Sequence, residues 1–217
     1  MVHWGMVIDL TKCVGCMTCV VACQVENFLP PGMSWARVAD FEVGEYPNVE
    51  RVFLPMPCMQ CEEPACMKVC PTEAIFRRED GIVITDYDKC TGCRLCMVAC
   101  PYDSRVYVEE ENPPEPVRRL GKEVRSKYQI LKRDTVAKCT FCAHRIDRAK
   151  ETGKVPGKDP EVTPLCVVTC IGNARYFGDL DDPESEVSKL VKSERAFVLY
   201  EEAKTRPSVY YLSRRRR

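Results

Sequence analysis

The sequence predicts an α+β chain of short helices, β-hairpins and long loops that is organised around its cysteines. Three observations support this prediction. Sixteen cysteines occur among the 217 residues, in four groups. Short apolar or β-branched runs lie between the groups, as expected for strands. Two segments rich in charge and proline, one before the fourth group and one inside it, are typical of surface loops.

The four cysteine groups share one pattern of spacing. Each opens with Cys-x2-Cys and closes with Cys-x3-Cys, and groups one and three join the two as Cys-x2-Cys-x2-Cys-x3-Cys. Group two has four residues in its middle gap, and group four has 23. The members are Cys13, Cys16, Cys19 and Cys23 in group one, Cys58, Cys61, Cys66 and Cys70 in group two, Cys90, Cys93, Cys96 and Cys100 in group three, and Cys139, Cys142, Cys166 and Cys170 in group four.

This spacing is typical of a chain that wraps [4Fe–4S] clusters. Two residues between cysteines let a tight loop turn three sulfurs toward one cube, and the last cysteine leads away on a short helix. In two-cluster ferredoxins that last cysteine ligates the other cluster, so groups work in pairs. Pro71 and Pro101 directly follow the last cysteines of groups two and three, which suits helices that end there. We therefore expect four [4Fe–4S] clusters in two ferredoxin-like dicluster units.

Two other uses of sixteen thiols fit the sequence less well. Eight disulfides would need an oxidising compartment, and adjacent Cys-x2-Cys thiols make a poor structural framework. Zinc also takes four thiolates, but zinc ribbons use two distant Cys-x2-Cys pairs rather than the run found here. Iron–sulfur binding is therefore the favoured interpretation.

Groups two and three are joined by a predicted β-hairpin over Ala74–Asp86 that turns at Asp80-Gly81. The segment 55–108 is therefore predicted to be one compact ferredoxin-like unit. Groups one and four remain to form the other unit, from residues 1–54 and 109–180. Spacing alone does not force this choice, since sequential pairing of group one with two and of group three with four also fits.

Two further strand regions and two loops are predicted. Met6–Leu10 is expected to be a strand that leads into group one, and Trp35–Glu42 is expected to pair with Val49–Leu54. Asp103–Lys138 and Lys150–Pro164 are the segments rich in charge and proline. They are predicted to be surface loops, either merely solvated or used to dock a partner.

Residues 181–217 are predicted to form a C-terminal helix, two strands and a basic tail. The helix spans Pro183–Lys192, with the aspartate before it as the N-cap. The strands span Ala196–Tyr200 and Ser208–Leu212. The tail, Arg214–Arg217, is expected either to be solvated or to contact an acidic partner or anionic lipid.

Composition and motifs exclude several classes of function. Lys plus Arg and Asp plus Glu are both 32, so charge gives no argument for nucleic acid. No apolar run approaches the ~20 residues of a membrane-spanning helix. Cys13 leaves no room for a removable secretory signal, so none is expected. No P-loop, GxSxG, HExxH or GxGxxG motif occurs, so electron transfer without bond chemistry is the expected role.

Three lysines and one histidine near the cysteines could influence a bound cluster. Lys12, Lys89 and Lys138 each precede the first cysteine of a group. A cation beside an anionic cluster favours the reduced form, although a solvated loop lysine is an equally good interpretation. His144 follows Cys142 by two residues and is expected to form a hydrogen bond rather than ligate iron.

Six motifs are distributed over nearly the whole chain. They are Met6–Leu10 with Lys12–Cys16, Cys70–Thr72, Cys139–Arg145, Gly178–Pro183, Thr205–Pro207 and Tyr210–Leu212. Together they resemble the iron–sulfur subunits of the dimethyl sulfoxide reductase family of molybdenum and tungsten oxidoreductases. The resemblance is closest to the small subunits of polysulfide, thiosulfate, tetrathionate and arsenate reductases.

The resemblance implies that group one pairs with group four and that group two pairs with group three. Carried over by position, it implies four [4Fe–4S] clusters with four cysteines each. The ligands are Cys13, Cys16, Cys19 and Cys170 for cluster one, Cys23, Cys139, Cys142 and Cys166 for cluster two, Cys58, Cys61, Cys66 and Cys100 for cluster three, and Cys70, Cys90, Cys93 and Cys96 for cluster four.

The resemblance also implies partners and a location. A catalytic subunit with a molybdenum or tungsten bis-pterin would exchange electrons through this chain with a quinone-linked membrane subunit or another redox partner. A signal-bearing partner would carry the chain to the periplasmic or extracytoplasmic membrane face, whereas a partner without a signal would leave it cytoplasmic. A free-standing polyferredoxin is the rival interpretation, and the C-terminal elements and long loops argue against it. Ile171 replaces the usual proline after Cys170, which is expected to alter that loop.

Overall fold

The computed structural model describes residues 2–109 and 131–213. These residues form short helices and small sheets, as an α+β prediction requires. The helices are α1 Thr18–Glu26, α2 Ala65–Lys68, α3 Leu95–Val98, α4 Ala143–Thr152, α5 Leu165–Val168 and α6 Glu186–Val191, with a 3-10 turn at Glu201–Ala203. The strands are β1 Trp4–Asp9, β2 Arg37–Glu45, β3 Asn48–Met56, β4 Ile75–Arg77, β5 Val83–Thr85, β6 Val106–Val108, β7 Thr135–Ala137, β8 Arg175–Asp179, β9 Ala196–Phe197 and β10 Val209–Leu212.

A four-stranded sheet in the order β8-β1-β10-β9 brings the two ends of the described chain together. Strand β1 pairs in parallel with β10 and antiparallel with β8. Side chains alternate between the two faces of a strand. Met6 and Ile8 therefore face the main core, while Val7 packs on the other face with Val187 of α6. The sheet is thus covered on both faces at β1, where these side chains are fully buried.

Three two-stranded hairpins carry the rest of the β-structure. The predicted hairpin between groups two and three is confirmed, with Ile75 opposite Thr85 and a turn at Gly81, where φ is +85°. The predicted pairing of Trp35–Glu42 with Val49–Leu54 is also confirmed. It is longer than expected, running from Arg37 opposite Met56 to Glu45 opposite Asn48.

The third hairpin corrects the prediction of a loop over Asp103–Lys138. Strands lie near both ends of this segment, because β6 pairs with β7 from Val106 opposite Ala137 to Val108 opposite Thr135. The charges and prolines between them hid two short strand-forming runs, of which Thr135–Ala137 is buried and Val106–Val108 is partly buried. Residues 110–130 lie outside the part of the chain that the structure describes. The other predicted loop, Lys150–Pro164, begins with the last turn of α4, which ends at Thr152 with Gly153 as its C-cap.

The C-terminal elements are partly as predicted. Strand β10 is confirmed, but the helix begins at Glu186 rather than Pro183. Ser185 is its N-cap, since the Ser185 hydroxyl oxygen accepts a hydrogen bond of 3.1 Å from the backbone N–H of Ser188. Asp182 instead accepts from the backbone N–H of Glu184 at 2.9 Å, in a turn that precedes the helix. The next strand is shorter than predicted and ends at Phe197.

The C-terminal tail, Arg214–Arg217, lies outside the described residues. In the ranges 2–109 and 131–213, no helix combines the length and apolar character that crossing a bilayer requires.

Candidate metal centres

The four cysteine groups adopt the same local backbone turn. The residue just before the second cysteine of each group has a positive φ. These residues are Gly15 (+68°), Gln60 (+47°), Gly92 (+66°) and Phe141 (+53°). A left-handed residue reverses the direction of the chain within two residues. The loop can therefore present successive sulfurs to one side.

A second turn of this kind follows the last cysteine of groups two, three and four. Glu73, Asp103 and Asn173, each three residues after that cysteine, have φ between +47° and +52°. Beyond the turn, the backbone N–H of Ala174 donates to the sulfur of Cys170 at 3.3 Å. The expected change of this loop by Ile171 is not observed, because Asn173 adopts the same conformation as its two counterparts.

The same arrangement lowers the pKa of the Cys70 thiol. Burial, the largest influence, raises this pKa, but hydrogen bonds from Thr72 and from the backbone N–H groups of Ala74 and Ile75 outweigh it. Donors aimed at a sulfur stabilise its anionic form. The turn is therefore suited to a thiolate.

Gly92 is required by a close backbone contact as well as by its φ. A β-carbon at this position would lie 2.1 Å from the carbonyl oxygen of Asp134. Gly153 has a nearly equal φ of +67° but nothing within 4 Å of that position. We expect Gly153→Ala to cost about 1–2 kcal/mol from backbone strain alone, and Gly92→Ala to cost about 1–3 kcal/mol more from overpacking.

Urea unfolding of the two variants, with iron content measured alongside, tests this expectation. Gly92→Ala should also lose iron from group three, since the clash displaces the loop between Cys90 and Cys93. Equal stability and equal iron content in the two variants would contradict it.

Twelve of the cysteines line three cavities, four to each cavity. In every set, three cysteines come from one group and the fourth comes from another group. The sets are Cys13, Cys16, Cys19 and Cys170 (set one), Cys58, Cys61, Cys66 and Cys100 (set three), and Cys70, Cys90, Cys93 and Cys96 (set four).

The other four cysteines form set two in the interior. Burial is the main reason that the pKa of Cys23 is raised well above its usual value, and three nearby thiols add to the effect. Those neighbours are Cys139, Cys142 and Cys166. The structure therefore brings together the same four sets of cysteines that the resemblance implies.

Sets two and three are neighbours, although set two comes from groups one and four and set three comes from groups two and three. Burial raises the pKa of Cys139 in set two to about 12, and the next largest influence is the thiol of Cys58 in set three. Burial likewise raises the pKa of Cys61 to about 12. Thiols in such a site are held protonated unless a metal replaces the proton, because the metal ligand is the thiolate.

Helix packing follows the same grouping. Helix α1 of group one packs against α5 of group four, and α2 of group two packs against α3 of group three. A half-buried polar cluster also joins α1 to α4, the helix that follows Cys142 of group four. The carboxylate of Glu26 in α1 accepts from His144 at 2.8 Å and from Arg145 at 3.1 Å, both in α4. His144 therefore has the hydrogen-bonding role that was expected.

The cavities lined by the cysteines are suited to a bound group with negative charge. Among the buried nitrogens without a hydrogen-bond partner are Nε of Arg105 and Nη2 of Arg175. Arg105 lines the cavities of sets three and four, and Arg175 lines that of set one. Guanidinium N–H groups that have no partner beside four thiols suit an iron–sulfur cluster with a net negative charge.

Comparisons with known proteins agree with this geometry. A profile described as a 4Fe-4S dicluster domain matches residues 49–115, and one described as a 4Fe-4S binding domain matches residues 4–25. A selenate reductase subunit of Mesobacillus selenatarsenatis is 46% identical over 224 residues, covering 98% of this chain and 72% of the relative. The menaquinone reductase iron-sulfur cluster-binding subunit of Nitratidesulfovibrio vulgaris is 40% identical, covering 99% of this chain and 90% of the relative.

A third relative is the arsenate respiratory reductase iron-sulfur subunit of Shewanella sp. strain ANA-3. It is 36% identical over 234 residues, which cover 96% of this chain and 95% of the relative. The chain belongs to the iron–sulfur subunits of the dimethyl sulfoxide reductase family. As a member of this family it is an electron-transfer subunit. The prediction made from its sequence motifs is therefore confirmed.

Of the three lysines that precede cysteine groups in this iron–sulfur subunit, one is placed in the interior. Lys138 is buried, whereas Lys12 and Lys89 are exposed. Arg105 and Arg175 are buried and escaped prediction. The sequence holds one signal for them. Arg105 lies five residues after Cys100, and Arg175 lies five residues after Cys170, so each follows the last cysteine of a group at the same distance. An arginine is rarely fully buried, so this repeat alone does not indicate an internal position.

Proposed function

We propose that this subunit carries four [4Fe–4S] clusters as a wire between a molybdenum or tungsten bis-pterin catalytic subunit and a quinone-linked membrane subunit or other redox partner. The observation that carries the proposal is the grouping of all sixteen cysteines into four sets of four. Each bound cluster would accept and release one electron at a time. The chain itself supplies thiolates, hydrogen bonds and buried cations.

The ligands follow the sets. Cluster one would be held by set one, cluster two by set two, cluster three by set three and cluster four by set four. In each set the fourth ligand comes from the partner group, which is the logic of a two-cluster ferredoxin. The packing of α1 on α5 and of α2 on α3 supports two ferredoxin-like units. Their residues are 1–54 with 109–180 and 55–108, and 181–217 form the C-terminal extension.

The clusters would form one row. Sets one and two share group one, sets three and four share group three, and sets two and three meet at Cys139 and Cys58. Exposure supports a wire with two accessible ends. Cys16 of set one and Cys93 of set four are exposed, whereas set two is mainly buried.

Iron and acid-labile sulfide analysis of the anaerobically purified subunit tests the cofactor. We expect about four iron and four sulfide per four cysteines, with low-temperature EPR signals after reduction. Zinc without sulfide in a colourless protein would contradict the proposal.

Co-purification tests the partners. A tagged subunit expressed from its native operon should bring down a molybdenum- or tungsten-containing subunit, and membrane fractions should contain the complex. A monomer that shuttles electrons by diffusion would favour the polyferredoxin interpretation instead. Location follows from the catalytic partner: a signal on it would place the complex on the periplasmic or extracytoplasmic face, and its absence would place the complex in the cytoplasm.

A further inference from the structure

Three cations are buried deep in the subunit, and the contacts described for them include no carboxylate. Arg105, Lys138 and Arg175 are 3%, 1% and 5% exposed. A buried charge without compensation is strongly unfavourable, so such a side chain needs a counter-charge. Their positions relative to the four cysteine sets indicate what that counter-charge is.

Arg105 lies between sets three and four. Its Nη2 donates to the sulfur of Cys66 in set three at 3.2 Å, and its Nη1 donates to the sulfur of Cys96 in set four at 3.6 Å. The rigid guanidinium fork thus spans two cluster sites with one charge. The guanidinium group of an arginine is not deprotonated in proteins, so this side chain is a fixed cation.

Arg175 has the same role between sets one and two. Its Nη1 donates to the sulfur of Cys166 in set two at 3.7 Å, and its side chain lines the cavity of set one. The same nitrogen also contacts the sulfur of Met6 at 3.4 Å, which carries no charge. Arg105 and Arg175 thus occupy equivalent places, each at the junction inside one pair of cysteine groups.

Lys138 lies at the remaining junction. It lines the cavity of set three and directly precedes Cys139 of set two. Its ammonium group is held by neutral acceptors, which are the side-chain oxygen of Gln60 at 3.3 Å, the carbonyl oxygen of Cys139 at 2.9 Å and the carbonyl oxygen of Val83. Four cluster sites in a row have three junctions, and each junction holds one buried cation.

We propose that Arg175, Lys138 and Arg105 are shared counter-charges, one for each pair of neighbouring clusters along the wire. This inference rests on the proposed function. Reduction of a cluster by one electron adds one negative charge, and a fixed cation between two sites stabilises that charge on either side. Each cation therefore raises the reduction potentials of both neighbouring clusters, so that both hold an electron more tightly than they would without it.

The test is an EPR-monitored redox titration of the cluster-loaded full chain carrying Arg175→Gln, Lys138→Gln or Arg105→Gln. At a fixed potential, the ratio of reduced to oxidised cluster should fall about tenfold for each neighbouring cluster, which is a shift of about 59 mV for a one-electron couple. The affected clusters should be one and two, two and three, and three and four respectively. Arg148→Gln, which removes the same charge at an exposed position of α4, should leave all four potentials unchanged.

The outcomes separate this inference from the proposed function. Absence of clusters in the unaltered chain would remove the proposed function itself. Four intact clusters with unchanged potentials in the three variants would overturn the inference alone. If Arg105→Gln prevents cluster assembly, Arg105→Lys is tested in its place. Clusters that are restored, with potentials near those of the unaltered chain, would support a counter-charge. Continued loss of clusters would assign Arg105 a packing role and overturn the inference.

Discussion

Replacing Cys170 with serine is expected to remove the same cluster as replacing Cys13. The two cysteines are far apart in sequence but line one cavity, together with Cys16 and Cys19. Serine is a poor ligand for iron in such a cluster, so each variant should lose about a quarter of the iron of the four-cluster chain. EPR spectra of the two reduced variants should lack the same signal.

Cys166 provides a matched control within the same turn of chain. It lies only four residues from Cys170, and its thiol belongs with Cys23, Cys139 and Cys142. Cys166→Ser should therefore remove a different signal from Cys170→Ser, and the same signal as Cys23→Ser. If Cys13→Ser and Cys170→Ser remove different clusters, the pairing of groups one and four is wrong, and sequential pairing becomes the better interpretation.

The local features of the fold were predictable because they depend on short-range sequence. Cysteine spacing, β-branched runs and turn residues act over a few residues. They predicted a hairpin over Ala74–Asp86, which is observed at Ile75–Thr85, and a strand over Met6–Leu10, which is observed at Trp4–Asp9. They also predicted the division of the cysteines into four groups. The partner of each group was open from spacing alone, since a fourth ligand comes from a distant loop. The resemblance to a family resolved it, and the helix contacts point to the same answer.

The features that sequence reasoning missed depend on tertiary context. The start of α6 was misplaced because Asp182 and Ser185 are both good N-caps, and only the fold shows which one the helix uses. Pairing of β6 with β7 joins two three-residue strands across a long charged insertion, which short-range signals do not reveal. The burial of Arg105 and Arg175 follows from neighbouring thiols in space. An arginine beside a strand would otherwise be assigned to the surface.

Removal of the clusters is expected to unfold the subunit. Cysteines of sets two, three and four are part of its hydrophobic core, so the interior is built around these sites rather than beside them. Without the clusters, Arg105 and Arg175 would each be a buried charge that has lost its partner, at a cost of about 3–5 kcal/mol each. The sum is comparable with the whole free energy of unfolding of a typical domain, about 5–15 kcal/mol. For such a protein, metal binding and folding are one equilibrium.

Circular dichroism during anaerobic chelation measures this coupling, with a thiol reductant present so that freed cysteines do not form disulfides. The loaded chain should melt cooperatively, whereas the chelated chain should lose its cooperative transition as iron is removed. Chelator saturated with iron beforehand is the control, and it should leave the melting curve unchanged. A chelated chain that still melts cooperatively within a few degrees of the loaded one would show that the protein core alone sustains the fold. The buried arginines would then need a compensating partner other than the clusters.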